Sequence, residues 1–273
     1  MILNFFFVTF IIINIFFLFK FDLYSKLFTI EDKPNHERKL HKKNTKVLGG
    51  TIIIINLLLY GLYFFIFDKS YLIEIFNGQN KIFFFTLAAT FIYILGLVDD
   101  KYDLPALNKL LFLVLIISTS LFFDKNLIKE INLSFLDNKI YLGELSFFFT
   151  LFSYIIFINA FNMLDGINLQ AGMYSCFILT VLILLGMDLL LGLTIIFSVL
   201  VFLKLNYQNK IFLGDNGTML LSYIFSYFFI DMYNQQKIIY SDTIFLILII
   251  PGLEIIRLTF ERFKANKNIL KPD

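Results

Sequence analysis

Long apolar runs, separated by short polar segments, dominate the pattern along this chain. An α-helix needs about 20 apolar residues to cross ~30 Å of hydrocarbon. By that measure the sequence predicts about nine membrane-spanning helices, near residues 1–19, 47–67, 82–98, 108–123, 145–164, 171–187, 190–205, 217–233 and 242–258. The predicted fold class is therefore all-α, a polytopic membrane helix bundle that forms a single domain over residues 1–273.

The polar segments complete this picture. The first apolar run lacks a basic leader and a small-residue cleavage site, so we expect it to be a retained span. The polar stretch FDLYSKLFTIEDKPNHERKLHKKNTK is predicted to be a loop between the first two spans. The segment 124–144 is predicted to be a loop on the opposite side, where the turn-forming pair Asp137 and Asn138 favours a short hairpin.

Composition and charge agree with a membrane protein and orient it. Hydrophobic residues make up 59% of the chain and charged residues 16%, which excludes an ordinary soluble globular surface. With the N-terminus outside and the C-terminus inside, 17 of the 23 lysines and arginines fall on the inner side. Because cytoplasmic loops carry the excess of these residues, we predict that orientation. The single cysteine, Cys176, excludes an internal disulfide.

Three acidic motifs end or begin predicted spans on the inner face. Asp99, Asp100 and Asp103 lie in LGLVDDKYDLP, Asp165 lies in NAFNMLDGINLQAG, and Asp215 lies in FLGDNGTMLLS. Carboxylates at a membrane border are costly unless they are paired or solvated. Two of them ~4 Å apart repel by roughly 1 kcal/mol in water and ~4 kcal/mol at an effective dielectric of 20. Converging acids of this kind therefore favour a cation.

The chemistry of these ligands favours a hard ion. A few carboxylates completed by water and substrate phosphates suit Mg²⁺, and Mn²⁺ is an alternative. The neutral side chains of Asn159, Asn162 and Asn168 can orient carboxylates or a sugar. Acids at helix ends are often only solvated caps, but three such motifs on one face argue against that interpretation. The outer acids Asp188, Asp231 and Asp242 are predicted to be border residues.

Four motifs, in order along nearly the whole chain, resemble one membrane superfamily. They are DKPNHERKLHKKNTKVLGG at 32–50, GLVDDKYDLPALNK at 96–109, NAFNMLDG at 159–166 and FLGDNG at 212–217. The pattern is similar to the polyprenyl-phosphate N-acetylhexosamine-1-phosphate transferases, which start several cell-envelope polysaccharides. The first motif is closest to the undecaprenyl-phosphate GlcNAc-1-phosphate transferase branch.

The resemblance implies transfer of a sugar 1-phosphate from a UDP-sugar to undecaprenyl phosphate, with release of UMP. It implies Asp99, Asp100 and Asp165 as catalytic residues, with Asp215 and Asp165 as metal ligands. For substrate binding it implies the asparagines already named and four residues of the first polar loop, Arg38, Lys39, His41 and Lys42. The ordinary positive-inside signal is an alternative explanation of those basic residues.

The resemblance also implies surroundings and partners. These are the lipid bilayer of the bacterial inner (plasma) membrane, a multi-pass chain and an active site that faces the cytoplasm. A homodimer is left open, and no nucleic-acid partner is expected. The products would serve cell-wall biogenesis, with lipopolysaccharide and O-antigen among the polymers of the family.

The chain departs from the family pattern in three places. Asn168 stands where a second acidic residue is common, and Lys46 stands where proline is usual. We expect residues 1–273 to lack the family's cytoplasmic histidine cluster and the last helix or helices, either because the chain is truncated before them or because it is a divergent member. A catalytically impaired or truncated homologue that acts as a scaffold is therefore an alternative. A secondary transporter is a weaker one, because the acids lie at one border and not at the bilayer midplane.

Overall fold

A computed structural model describes residues 2–21, 31–32 and 45–264 of the chain. The described chain is mostly helical, as predicted. Its helices are α1 (Ile2–Phe19), α2 (Gly49–Phe67), α3 (Lys69–Phe76), α4 (Gln79–Tyr102), α5 (Ala106–Asp124), α6 (Ser146–Leu164), α7 (Gln170–Leu184), α8 (Leu189–Tyr207), α9 (Gly214–Asn234), α10 (Ser241–Ile247) and α11 (Ile249–Lys264).

The number of membrane spans is smaller by a strict criterion than the sequence predicts. Within the described ranges, five helices are long and apolar enough to cross a membrane, or six when the bent pair α10 and α11 counts as one span. Two further apolar helices, α1 and α7, are shorter. The predicted count of about nine is therefore not confirmed, and the orientation of the termini stays a prediction.

Helix α9 is the centre of the bundle. Its residues are buried continuously from Asn216 to Tyr233, and it packs against α2, α4, α6 and α7. A helix that is buried all round has no single lipid-facing stripe, so its serines, tyrosines and acids face other helices. The helix that carries Asp215 in its first turn is thus surrounded by protein from Asn216 to Tyr233.

The last predicted span is broken near its middle. Helices α10 and α11 meet at Leu248 with a bend of 68°. Pro251 has no backbone N–H, so the carbonyl of Ile247 loses its helical donor. The hydroxyl of Tyr174 on α7 donates to that carbonyl instead. The break therefore has a local cause in the sequence and a tertiary partner that satisfies it.

Two small sheets lie at opposite ends of the bundle. Strands β3 (Glu130–Ile131) and β4 (Ile140–Tyr141) pair antiparallel, which confirms the predicted hairpin. At the other end, β2 (Thr45–Val47) pairs antiparallel with β1 (Glu31–Asp32) and parallel with β5 (Ile211–Phe212). The parallel pair ties the segment before α2 to the segment before α9.

Candidate active site

The predicted acidic residues converge at the end of the bundle that carries β2 and β5. Asp99 and Asp100 lie in the last turn of α4, Asp165 follows α6, and Asp215 lies in the first turn of α9. The carboxylate charges of Asp100 and Asp215 are close enough to act on Asp165. The structure therefore brings together the four aspartates that the sequence analysis singled out.

Lys109 links two of these aspartates. Its ammonium nitrogen lies 2.6 Å from Asp99 Oδ2 and also contacts Asp215 Oδ2. The lysine side chain is only 17% exposed, so the two ion pairs are shielded from bulk water. Lys109 is not among the site residues predicted from the sequence, where it counts only toward the charge that sets orientation. Its place within the second motif, one turn into the helix that follows the aspartates, was the available signal.

A tight turn places Lys109 beside Asp99. The backbone N–H of Asp103 donates to the Asp99 carbonyl, and Asp103 adopts a left-handed conformation with φ +48°. The N–H of Leu104 donates to Asp99 Oδ1 over 2.9 Å. Helix α5 then begins after Pro105, whose fixed φ suits a helix start. The chain therefore reverses within three residues and returns Lys109 to the acids.

The asparagine predictions have three different outcomes. Asn162 donates through Nδ2 to Asp215 Oδ1 over 2.7 Å and to Thr218 Oγ1 over 3.0 Å, so it does join the site. Asn159 donates to Ile155 O of its own helix over 2.7 Å. Asn168 is exposed and donates to Asn209 Oδ1. Thus the structure places only Asn162 against the acids.

Among the described residues, Asp165 differs from its neighbours because its carboxylate has no hydrogen-bond partner. In the described part of the chain, no group donates a hydrogen bond to its carboxylate, although its backbone N–H donates to Asn162 O over 3.2 Å. Burial raises the pKa of Asp165 well above its usual range, and the charges of Asp215 and Asp100 raise that pKa further. An ionised carboxylate here requires a cation that none of the described residues supplies.

The basic residues proposed for phosphate contact cannot be compared with this geometry. Arg38, Lys39, His41 and Lys42 lie outside the described residues. Their positions fall between β1 and β2, and β2 pairs with the strand that leads into α9.

The donor set fits one type of metal site. Across residues 2–21, 31–32 and 45–264, no three Asp, Glu, His or Cys side chains are grouped so as to hold a metal ion. Mg²⁺, however, is commonly bound by one or two carboxylates and completes its shell with water and substrate phosphates. The carboxylates of Asp165 and Asp215 fit that shared arrangement and do not fit a closed protein cage.

Comparison with known proteins agrees with the motifs. Among curated relatives, the chain is 29% identical over 256 residues to a Bacillus subtilis (strain 168) protein named probable undecaprenyl-phosphate N-acetylglucosaminyl 1-phosphate transferase, covering 89% of this chain and 66% of the relative. It is 25% identical over 262 residues to the Escherichia coli (strain K12) undecaprenyl-phosphate alpha-N-acetylglucosaminyl 1-phosphate transferase, covering 91% of this chain and 68% of the relative.

A third relative and a family model extend this finding. A Thermotoga maritima protein with the same name as the Escherichia coli enzyme is 26% identical over 263 residues, covering 96% of this chain and 76% of the relative. The chain spans about two thirds of the length of the first two relatives. The model described as Glycosyl transferase family 4 matches residues 82–233, more than half of the chain, including Asp99, Asp165 and Asp215. The chain belongs to glycosyl transferase family 4.

Proposed function

We propose that this protein transfers a sugar 1-phosphate, most simply N-acetylhexosamine 1-phosphate, from a UDP-sugar to undecaprenyl phosphate. The observation that carries the proposal is the pairing of Asp99 and Asp215 through Lys109 at one end of the bundle, with Asp165 within reach of the charges of Asp215 and Asp100. The names of the curated relatives support the same reaction. Acids at helix ends also suit a site at a membrane border better than a transport path through the midplane.

The reaction needs positioning and charge neutralisation more than covalent help from the protein. An oxygen of the lipid phosphate attacks the phosphorus that carries the sugar, and the bond from that phosphorus to the UMP oxygen breaks. UMP leaves with the electron pair, and the lipid keeps the sugar on a new diphosphate. Both reactants are anions, so the barrier depends on bringing negative groups together, as in phosphoryl transfer generally.

The residues divide this work by their surroundings. Asp215, held by Lys109 and Asn162, would present its carboxylate in a fixed direction. Asp165, with no donor of its own in the described chain, would complete the cation site and order the UDP-sugar. Asp99, the second acid that Lys109 contacts, would face the acceptor. We propose direct attack by the lipid phosphate, with Asp99 as support.

Asp165 and Asp215 would hold Mg²⁺, or Mn²⁺, together with the donor diphosphate. When bound, the ion would supply positive charge to the transferred phosphoryl group and to the UMP leaving group. Lys109 would keep the neighbouring carboxylates from repelling one another in the absence of substrate, because its single charge is shared between two of them.

We place the reaction at the cytoplasmic face of the bacterial plasma membrane. The distribution of lysine and arginine along the sequence supports this orientation. UDP-sugars are soluble and undecaprenyl phosphate is a membrane lipid, so a border site gives access to both. The product would enter cell-wall biogenesis, with O-antigen and lipopolysaccharide among the candidate polymers. The homodimer stays a prediction.

A transfer assay tests the proposal. The purified chain in detergent receives radiolabelled UDP-GlcNAc, undecaprenyl phosphate and either Mg²⁺ or EDTA, and organic extraction measures lipid-linked label. We expect label only with Mg²⁺, and release of one UMP for each lipid product. A parallel arm uses a chain extended through any coding sequence that follows residue 273. Absence of product in both arms, with UDP-GlcNAc and with other UDP-N-acetylhexosamines, would favour the scaffold alternative.

A further inference from the structure

We propose that Asp100 is a positioning residue that fixes the start of α9 and thereby aims Asp215, without touching the substrates. For its effect on transfer, this inference rests on the proposed function. It separates Asp100 from its neighbour Asp99, although the sequence pattern treats the two as a pair. The two carboxylates have different hydrogen-bond partners, and this difference separates their roles.

Asp100 supplies the cap that α9 lacks. The residue before the helix, Leu213, has no side-chain oxygen and makes no capping hydrogen bond. Asp100 Oδ1 accepts from the backbone N–H of Asp215 over 2.9 Å. Its Oδ2 accepts from the backbone N–H of Asn216 over 3.0 Å and from Asn216 Nδ2 over 2.5 Å. A carboxylate from α4 thus takes the place of the usual N-cap side chain.

The backbone around this cap has little room to move. Gly214 has φ +71°, and a Cβ there would lie 2.0 Å from Val47 Cγ1 and 2.9 Å from Asp100 Oδ2. A Cβ on Gly96 of α4 would lie 2.4 Å from the Cα of Asn216. Only glycine permits these approaches, so α4 and the start of α9 are packed backbone to backbone. A small shift of the cap would therefore move Asp215 directly.

The cap also determines which groups remain open to a ligand. The first N–H groups of a helix commonly bind phosphate. Here the N–H groups of Asp215 and Asn216 already donate to Asp100, and the negative carboxylate offsets the positive end of the helix dipole. Asp99, in contrast, contacts Lys109 and the Leu104 N–H and none of the α9 amides. The two neighbouring aspartates therefore perform different tasks.

Hydrogen–deuterium exchange on the full chain in detergent tests the cap directly. The variant Asp100→Asn keeps the shape but places an NH₂ group against backbone donors. We expect the first turn of α9 to exchange about tenfold faster than in wild type, the factor that corresponds to the usual loss of an N-cap, ~1.4 kcal/mol. The matched control Asp99→Asn should change exchange in that turn by less than about twofold. Equal exchange in Asp100→Asn and wild type would overturn the proposal.

Kinetics distinguish positioning from a general loss of structure. We expect Asp100→Asn to lower the transfer rate, to raise the Mg²⁺ concentration needed for half-maximal rate several-fold, and to keep the acid limb of the wild-type pH profile. Loss of that acid limb would overturn the proposal, because it would show that Asp100 itself exchanges a proton in the reaction.

The test also gives a result if the Asp100→Asn variant does not fold or if wild type shows no transfer. If Asp100→Asn does not yield folded protein, Asp100→Glu replaces it, and its displaced carboxylate should also speed exchange in α9. Unchanged exchange in that variant would likewise count against the cap. If wild type transfers no sugar phosphate, the proposed function fails, but the exchange comparison still decides the role of Asp100.

Discussion

Helices α4, α5 and α9 together form two clusters of acids and a lysine, one at each end of these helices. The two clusters contain similar residues but differ in how fully their carboxylates are hydrogen-bonded. We name the clusters after the sides of the membrane that the sequence predicts for them: the inner cluster contains Asp99, Lys109 and Asp215, and the outer one contains Lys81, Asp124 and Asp231. Along α9 the clusters are 16 residues apart, about 24 Å.

In the outer cluster, both oxygens of each acid have partners. Asp231 accepts from Lys81 over 2.8 Å and from Gln235, and its side chain is only 5% exposed. Asp124 accepts from the hydroxyl of Ser120 and from the N–H of Asn126. Buried charges that are paired and hydrogen-bonded in this way need nothing further. The outer cluster is therefore complete as it stands.

The inner cluster is incomplete by comparison. Asp215 remains 30% exposed on its side chain although Lys109 and Asn162 contact it. Asp165, beside it, has no hydrogen-bond donor in the described chain. Acid–lysine pairing occurs in both clusters, so it does not by itself distinguish them. We propose that the unmatched carboxylate beside the pair marks the functional site.

The largest expected contrast is between Asp215→Asn and Asp231→Asn. Removing the Asp215 charge should lower lipid-linked product by about a thousandfold or more, since it eliminates a proposed metal ligand. Removing the Asp231 charge should leave the rate of the folded enzyme within about threefold, because Asp231 lies at the far end of α9. The radiolabel assay on matched amounts of folded protein measures both. A comparable loss of transfer activity in the two variants would contradict the claim that only the inner cluster takes part in the reaction.

Removing the lysine should destabilise the protein at both ends. Lys81→Met leaves the buried charge of Asp231 without its partner, and losing one member of a buried pair costs roughly 3–5 kcal/mol. Lys81 is itself 22% exposed, so we expect the lower end of that range at most. Lys109→Met should destabilise at least as much, because it leaves two neighbouring carboxylates, Asp99 and Asp215, without their shared cation. Thermal unfolding in detergent compares the two variants. A smaller fall in melting temperature for Lys109→Met would be inconsistent with this account.

The smallest expected effects are changes in melting temperature, which should have opposite signs in Asp165→Asn and Asp124→Asn. A carboxyl whose pKa is raised on folding costs stability above its unfolded pKa of about 4, and the cost grows until pH reaches the folded pKa. Asp165→Asn removes that cost, so the substrate-free protein should melt a few degrees higher, more so at pH 7 than at pH 4. Asp124→Asn should melt lower, because it disturbs two satisfied hydrogen bonds. A lower melting temperature for Asp165→Asn would contradict the claim that the Asp165 carboxylate destabilises the substrate-free protein.

The helices were predictable because the apolar runs mark them clearly. Each of the nine predicted segments coincides with a helix or with the bent pair. Helix α3 was missed, since its eight residues, which include Lys69 and Glu74, lack the length of a span. The break at Leu248 was also missed, although Pro251 was visible in the sequence. A proline permits a bend, but the partner that stabilises it, Tyr174, comes from another helix.

The acidic residues of the site could be predicted from the sequence, but their ion pairs with lysines could not. Asp99, Asp165 and Asp215 share a face because helices of similar length alternate in direction. The role of Lys109 depends on a left-handed turn at Asp103, which no local signal specifies. Asp231 was predicted to be a border residue, yet it is buried, because the start of α4 delivers Lys81 to it. Such long-range contacts follow from packing and not from the order of residues.

The bend between α10 and α11 has a consequence for biogenesis. Together the two segments contain enough residues to be inserted as one continuous hydrophobic helix, whereas seven-residue α10 is about 10 Å long and too short to cross alone. The hydroxyl of Tyr174 lies 73 residues upstream of the carbonyl that it satisfies. Their bond can form only when both segments have been synthesised and packed together, so we expect this span to reach its final shape late, during assembly within the lipid.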